Sequence, residues 1–178
     1  MEAILSLLPD PFYEKVKEIW THLENKHGIH GVNIAPFPHF SWQGAMEYEQ
    51  KGLELTLKTI ANLSKPIRVQ TSGIGLFTGQ YPVIFIQVIK SPQLMRIHQQ
   101  IWSAIRPLGK EFNPHYEPDV WQPHITLAMG DVTNDQIGLL INEISSLDFN
   151  WEFLVDHIAH FVTAEPAGII KRKYDFNR

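Results

Sequence analysis

One pattern runs through this chain twice. A helical segment at 11–26 leads to an extended stretch holding His39-Phe40-Ser41, then a helix at 48–62 and a strand near 67–77. A second helical segment at 92–107 leads to an extended stretch holding His124-Ile125-Thr126, then a helix at 133–146 and a strand near 151–155. From helix start to histidine is 28 residues in the first half and 32 in the second, and from histidine to the next helix start about nine in both. Little residue identity accompanies the match, so the repeat is one of pattern and not a solenoid. Two α/β lobes related by a pseudo-twofold axis place the histidine segments side by side. The expected class is therefore α+β: a duplicated two-lobe α/β fold, its mostly antiparallel sheets lining a central cleft, its helices outside.

Local signals support each element. Phe12, Val16, Ile19, Trp20 and Leu23 recur at helical spacing, as do Leu94, Ile97, Ile101 and Ile105. Asp10-Pro11 and Ser91-Pro92 read as helix starts, and Thr133 with Gln136 as a capping box. Ile4 to Leu8 reads as a strand, and Val83 to Ile89 is a β-branched and aromatic run suited to a covered one. Gly73 and Gly75 suggest a twisted or closely approached strand. A polar, Pro-rich loop is expected over roughly 109–119, and Lys171-Arg172-Lys173 reads as a solvated tail. The whole chain, 1–178, is read as a single domain whose lobes, about 11–77 and 83–162, are able to exchange terminal strands.

At 178 residues roughly 70% of the extended-chain surface can be buried, so no staple is required. There is no cysteine, which excludes disulfides and thiolate catalysis. A formal charge of −4 argues against coating duplex DNA through backbone neutralisation. It leaves room for a small cleft that takes one phosphodiester. The N-terminal residues lack a basic region and their apolar run stops at Pro9, and no apolar stretch approaches membrane-spanning length. A cytoplasmic monomer without membrane contact is the expectation.

On a strand, residues i and i+2 share a face about 7 Å apart along the chain. His39 and Ser41 therefore project together, with Phe40 turned into the core, and His124 and Thr126 repeat this around Ile125. Single His-x-Ser/Thr triplets are unremarkable in a chain with nine histidines; two at equivalent points of a repeated unit are not. Two imidazoles and two hydroxyls facing one cleft suit phosphodiester chemistry. One neutral histidine takes a proton from the attacking group, the other as imidazolium protonates the leaving oxygen, and the hydroxyls hold non-bridging oxygens.

Pro38-His39-Phe40-Ser41-Trp42 and Pro123-His124-Ile125-Thr126-Leu127 resemble the paired motifs of the 2H phosphoesterase superfamily, which includes 2'-5' RNA ligase-like proteins and cyclic nucleotide phosphodiesterases. The second copy matches the usual Pro-His-Ile-Thr-Leu form closely; the first departs from it in Ser41 and Trp42. The resemblance implies a metal-independent, cofactor-free site with His39 and His124 as acid and base and Ser41 and Thr126 as phosphate ligands. It implies an enzyme that opens 2',3'-cyclic phosphates or cleaves small 2'-linked phosphodiesters, with a small nucleotide or RNA end as partner. Ligation of RNA ends uses the same residues, and a binding protein that has lost turnover keeps the same cleft. A basic track beside the cleft would favour RNA.

Phe37, Tyr81 and Tyr116 are candidate platforms for a base, whereas alternation turns Trp121 into the core. Lys90, Lys171, Arg172, Lys173, Arg68 and Arg96 are the basic residues considered for the cleft. His22 and His98 fall on polar helix faces; His157 and His160, three apart, have no third metal ligand of convincing spacing.

Overall fold

The computed structural model describes residues 1–177. Strand β1 (Glu2–Leu7) is followed by helix α1 (Phe12–His27), strand β2 (His39–Tyr48), helix α2 (Gln50–Leu63) and strand β3 (Ile67–Phe77). The second half runs through β4 (Val83–Val88), α3 (Pro92–Ile105), β5 (Gly109–Phe112), β6 (His124–Ala128), α4 (Asn134–Ile144), β7 (Glu152–Val155), β8 (His157–Val162) and β9 (Ile169–Asp175). The strands form two antiparallel sheets, one ordered β5-β2-β1-β8-β9 and the other β6-β4-β3-β7. The units β1-α1-β2 and β4-α3-β6 correspond. In each, the outer strands of the unit pair with one another, and the motif sits on the second of them.

The halves are interleaved. Strand β3 closes the first half but pairs with β4 and β7, while β8 lies against β1. The helices cross as well: α1 packs on β6 and α3 on β2. Each helix buries the stripe its spacing implies, with Val16, Ile19, Trp20 and Leu23 inward on α1 and Leu94, Ile97, Ile101 and Ile105 inward on α3. Caps set the ends. Gly28, at φ 71, takes the left-handed position after α1, and the Ser91 side chain accepts from Leu94 N at the start of α3. Thr133 N donates to Gln136 Oε1 at 3.0 Å, one half of the expected capping box.

Two segments differ from the sequence reading. The loop expected over 109–119 contains β5, which pairs with Ala45–Tyr48 at the sheet edge, and a 3-10 turn at Pro114–Tyr116. The supposed solvated tail is edge strand β9, paired with β8 from His157 to Val162. Its lysines and arginine face solvent while Tyr174 is buried, the charged edge pattern that discourages further pairing. Among the described residues no helix is long and apolar enough to cross a membrane.

A polar latch ties the first helix to the last. Glu143 on α4 accepts from Lys26 Nζ and His27 Nε2 on α1, both at 2.6 Å, and from His22 Nε2. These donors, Lys26 first, pull the Glu143 carboxyl from 4.5 down to about 2. Because the folded value lies below the unfolded one, the latch contributes fully above about pH 4.5 and is lost as the pH falls through about 2. Glu143→Gln is expected to lower the urea midpoint at neutral pH. Its further loss of stability on acidification should be smaller than in the wild type, as denaturation series across the acid range would measure.

Candidate active site

The pleat of β2 sends Phe40 and Trp42 into the core and leaves His39 and Ser41 half-buried on the opposite face. Strand β6 does the same, burying Ile125 and Leu127 and presenting His124 and Thr126. The two strands belong to different sheets but lie against each other. All four polar side chains line one cleft of about 200 Å³, together with Tyr116. Residues from both sheets complete it, including Ala3 of β1, Val83 of β4 and Phe161 of β8.

The histidines are held alike. His39 Nδ1 bonds the carbonyl of Phe37 at 2.5 Å, and His124 Nδ1 bonds the carbonyl of Gln122 at 2.7 Å. A carbonyl only accepts, so each Nδ1 carries its proton and Nε2 is the nitrogen left open for chemistry. Burial lowers the pKa of both below 6.5; for His39 the neighbouring His124 pushes the same way, and in each the carbonyl bond opposes the shift. Around His124 lie Phe77 and Phe85, ring centroids 4.9 and 5.2 Å away. Gly75 makes this packing possible, because a Cβ there would meet the Phe85 ring at 2.4 Å. Gly73, at φ 62, sits where the register of β3 against β4 shifts.

Two indoles clasp the motif strands from the opposite half. Trp20 on α1 donates from Nε1 to the carbonyl of Thr126 at 3.0 Å, and Trp121, just before β6, donates to the carbonyl of Ser41 at 3.1 Å. Strand β6 is at a sheet edge, and β5 pairs with β2 only beyond Ala45, so both carbonyls point away from a ladder partner. Trp121 also stacks between Trp42, at 5.7 Å, and His98, at 3.8 Å. His98, expected on a polar face, is fully buried. Its ring nitrogens face the backbone of Tyr116 and Trp42 outside hydrogen-bond geometry, and burial pushes its pKa down to about 4. Neither clasp has a sequence signal, since Trp20 on an apolar helix face and Trp121 on the inward side of an extended segment both read simply as core.

The family model of the 2'-5' RNA ligase superfamily matches residues 8–166, a span containing both motifs. The chain belongs to this family. A Bacillus cytotoxicus protein named as a candidate phosphoesterase is 23% identical over 122 residues, covering 67% of this chain and 66% of the relative. A Bacillus mycoides protein of the same designation is 22% identical over the same shares. The matched region thus spans just under two thirds of these relatives. TT0787 of Thermus thermophilus shares the fold with a TM-score of 0.70 at 17% identity, over 98% of this chain and 97% of that one. Escherichia coli LigT, solved in complex with 3'-AMP, gives 0.57 at 15% identity, over 99% and 98%.

Other nominated residues in this family member fall elsewhere. Of the three aromatic platforms only Tyr116 lines the cleft. Its hydroxyl stands beside Ser41, and burial raises its pKa, so it remains a phenol. Phe37 shares a face with His39 only in an unbroken strand. Here β2 begins at His39, and Phe37 packs against the small cluster of Leu5, Ala159 and Phe161. Tyr81 lies exposed in the turn before β4, away from the cleft. Arg68 pairs with Glu152, Arg172 with Glu54, Lys173 with Asp175, and Lys171 donates to Gln50. Arg96 borders a separate groove beside Arg68, and Lys90 is exposed. His157 accepts from Leu7 N at 3.0 Å and His160 bonds Glu2, so both rings are engaged in the fold.

The clasps can be tested one at a time. Trp20→Phe and Trp121→Phe keep the apolar ring but leave a motif carbonyl without its donor. Each is expected to cost about 1 kcal/mol in urea denaturation, the net worth of a hydrogen bond whose partly buried acceptor loses its donor.

Proposed function

We propose that this protein is a phosphoesterase that opens 2',3'-cyclic phosphates, or cleaves small 2'-linked phosphodiesters, by paired histidine acid–base catalysis. The observation that carries the reading is the matched pair of imidazoles, both with Nδ1 bound to backbone and Nε2 free, in one cleft with two hydroxyls. In a cyclic ester, one neutral Nε2 removes a proton from water as its oxygen bonds to phosphorus. The other, as Nε2–H, gives its proton to the ribose oxygen as the P–O bond breaks. Opening toward the 2'-phosphate makes O3' the leaving atom. Ser41 and Thr126 donate to the non-bridging oxygens, where negative charge builds. The fold is shared with LigT, whose structure holds 3'-AMP, which supports a nucleotide-sized ligand.

Reversible joining of RNA ends would replace water with a 5'-hydroxyl and use the same residues. A long strand calls for a basic track. Among the described residues no lysine or arginine lines this cleft; Lys17, 5.4 Å over the Trp20 ring, borders another groove. The small ester is the better fit.

His39→Ala and His124→Ala are each expected to lower turnover of nucleoside 2',3'-cyclic phosphates by ~10²–10⁴-fold, with chelator present and folding checked by circular dichroism. Ser41→Ala and Thr126→Ala should cost less, ~10- to 100-fold, as the loss of one hydrogen bond to a charged group. Wild-type turnover in either histidine variant would end the mechanism.

The pH profile has a definite direction. Activity needs one imidazole neutral and the other protonated, and both pKa values lie below 6.5 in the free protein. The bell in kcat/KM should therefore have its high-pH limb on the acid side of 6.5. A bound phosphate anion favours the imidazolium, so the same limb in kcat should lie at higher pH. A flat profile with chemistry rate-limiting would contradict the pairing.

A further inference from the structure

We propose that the cleft is blind to nucleobase identity and selects its substrate by a single phosphodiester together with the apolar surface beside it. This rests on the phosphoesterase reading above and adds the substrate's recognition class.

The polar side chains of the cleft neighbour one another, His124 within electrostatic reach of His39 and Ser41 beside the Tyr116 hydroxyl. His39, His124, Ser41, Thr126 and Tyr116 form the phosphate end. Thr163 at the rim is occupied: its Oγ1 donates to the Met1 carbonyl at 2.9 Å and accepts from the Met1 amino group at 3.0 Å. Apart from that Met1 amino group, the rest of the wall is largely carbon, from Trp20, Val32, Ile34, Val83, Met129 and Phe161. The one polar atom of Trp20 is already bonded to Thr126 O. The neighbouring turn is engaged in the same way, with Ala35 N on Val32 O, Gly168 N on Ile34 O and Phe37 N on Ala35 O. Among the described residues, no side-chain amide, carboxylate or guanidinium lines the cleft to meet a base edge.

Bases of one ring size differ mainly in the donor and acceptor pattern of their edges. A wall without fixed polar groups separates ligands by area and shape, and it rejects an isostere weakly. At about 200 Å³ the cleft is also smaller than most small-molecule sites. It accommodates the cyclic phosphate and part of the sugar. The base then lies across the rim, where Ile34 is half exposed.

The experiment compares kcat/KM for the four nucleoside 2',3'-cyclic phosphates. Adenine and guanine should agree within about threefold, and so should cytosine and uracil, with purines ahead of pyrimidines by a small factor from their larger apolar area. An edge-reading hydrogen bond would instead separate the members of a pair by about 5- to 150-fold. Ile34→Ser should raise KM for all four by a similar few-fold factor. A tenfold gap between adenine and guanine overturns the proposal, as does an Ile34→Ser variant with unaltered KM. If that gap accompanies turnover lost in His39→Ala, the phosphoesterase reading survives and only base blindness falls. A separate measurement needs no turnover: the Kd values of adenosine and guanosine 2'-monophosphates, followed by intrinsic tryptophan fluorescence. Equal values support the proposal even if catalysis on these esters fails, whereas a tenfold difference or no binding overturns it.

Discussion

The reciprocal packing of β2 against β6 is the constraint on which the rest of this molecule depends. Neither sheet contains the whole site, and no ladder hydrogen bond joins the two motif strands. Their separation is set instead by elements from opposite halves: α1 lies on β6, α3 on β2, and each half sends one indole N–H to the other half's motif carbonyl. Such a carbonyl, partly buried, would cost about 1 kcal/mol without its donor. The clasps therefore hold the strands at one spacing and give a donor to one motif carbonyl on each strand. Exchange of β3 and β8 between the sheets makes the same point at larger scale, because neither lobe completes its sheet from its own half.

That arrangement gives two similar histidines different surroundings. His39 shares its side of the cleft with Ser41 and the Tyr116 phenol, while His124 sits against Phe77 and Phe85. Desolvation lowers both, and their proximity makes a doubly protonated pair unfavourable. Desolvation in this apolar cleft favours the neutral rings, so a pair holding a single proton, the state that paired acid–base chemistry requires, is reached on the acid side of 6.5 in the free protein. The same walls carry a cost, since an anion entering them gives up water for few compensating charges. Under the proposed reaction the hydroxyls, the imidazolium and Tyr116 are the groups that meet the phosphate, which concentrates recognition at the reacting atoms.

Much of the fold was legible because its signals are local. Residues 11–26, 92–107 and 133–146 carry apolar stripes and caps that depend on nearby sequence alone, and the helices observed there begin within a residue or two of those bounds. The His-x-Ser/Thr triplets were legible for the same reason: period two on a strand places both side chains on one face wherever the strand lies. Strands β5 and β9 were not, since polar edge strands owe their conformation to a partner far away in sequence, Ala45–Tyr48 in one case and β8 in the other. His98 was misread because its helix position looks polar until Trp121 covers it.

The sequence by itself determined that there are two equivalent motifs, which side chains each presents, and that the chain folds as a duplicated α+β unit. Those properties follow from periodicity, and periodicity is carried by neighbouring residues. Only the tertiary structure decided which aromatic residues reach the cleft, choosing Tyr116 over Phe37 and Tyr81, and that its walls are apolar. It also decided that Trp20 and Trp121 hold the motif strands, and that the basic residues considered lie elsewhere, Arg68, Arg172 and Lys173 in pairs with acidic ones. These depend on contacts between residues about 80 and 106 positions apart, and no local pattern specifies which distant group a side chain will meet.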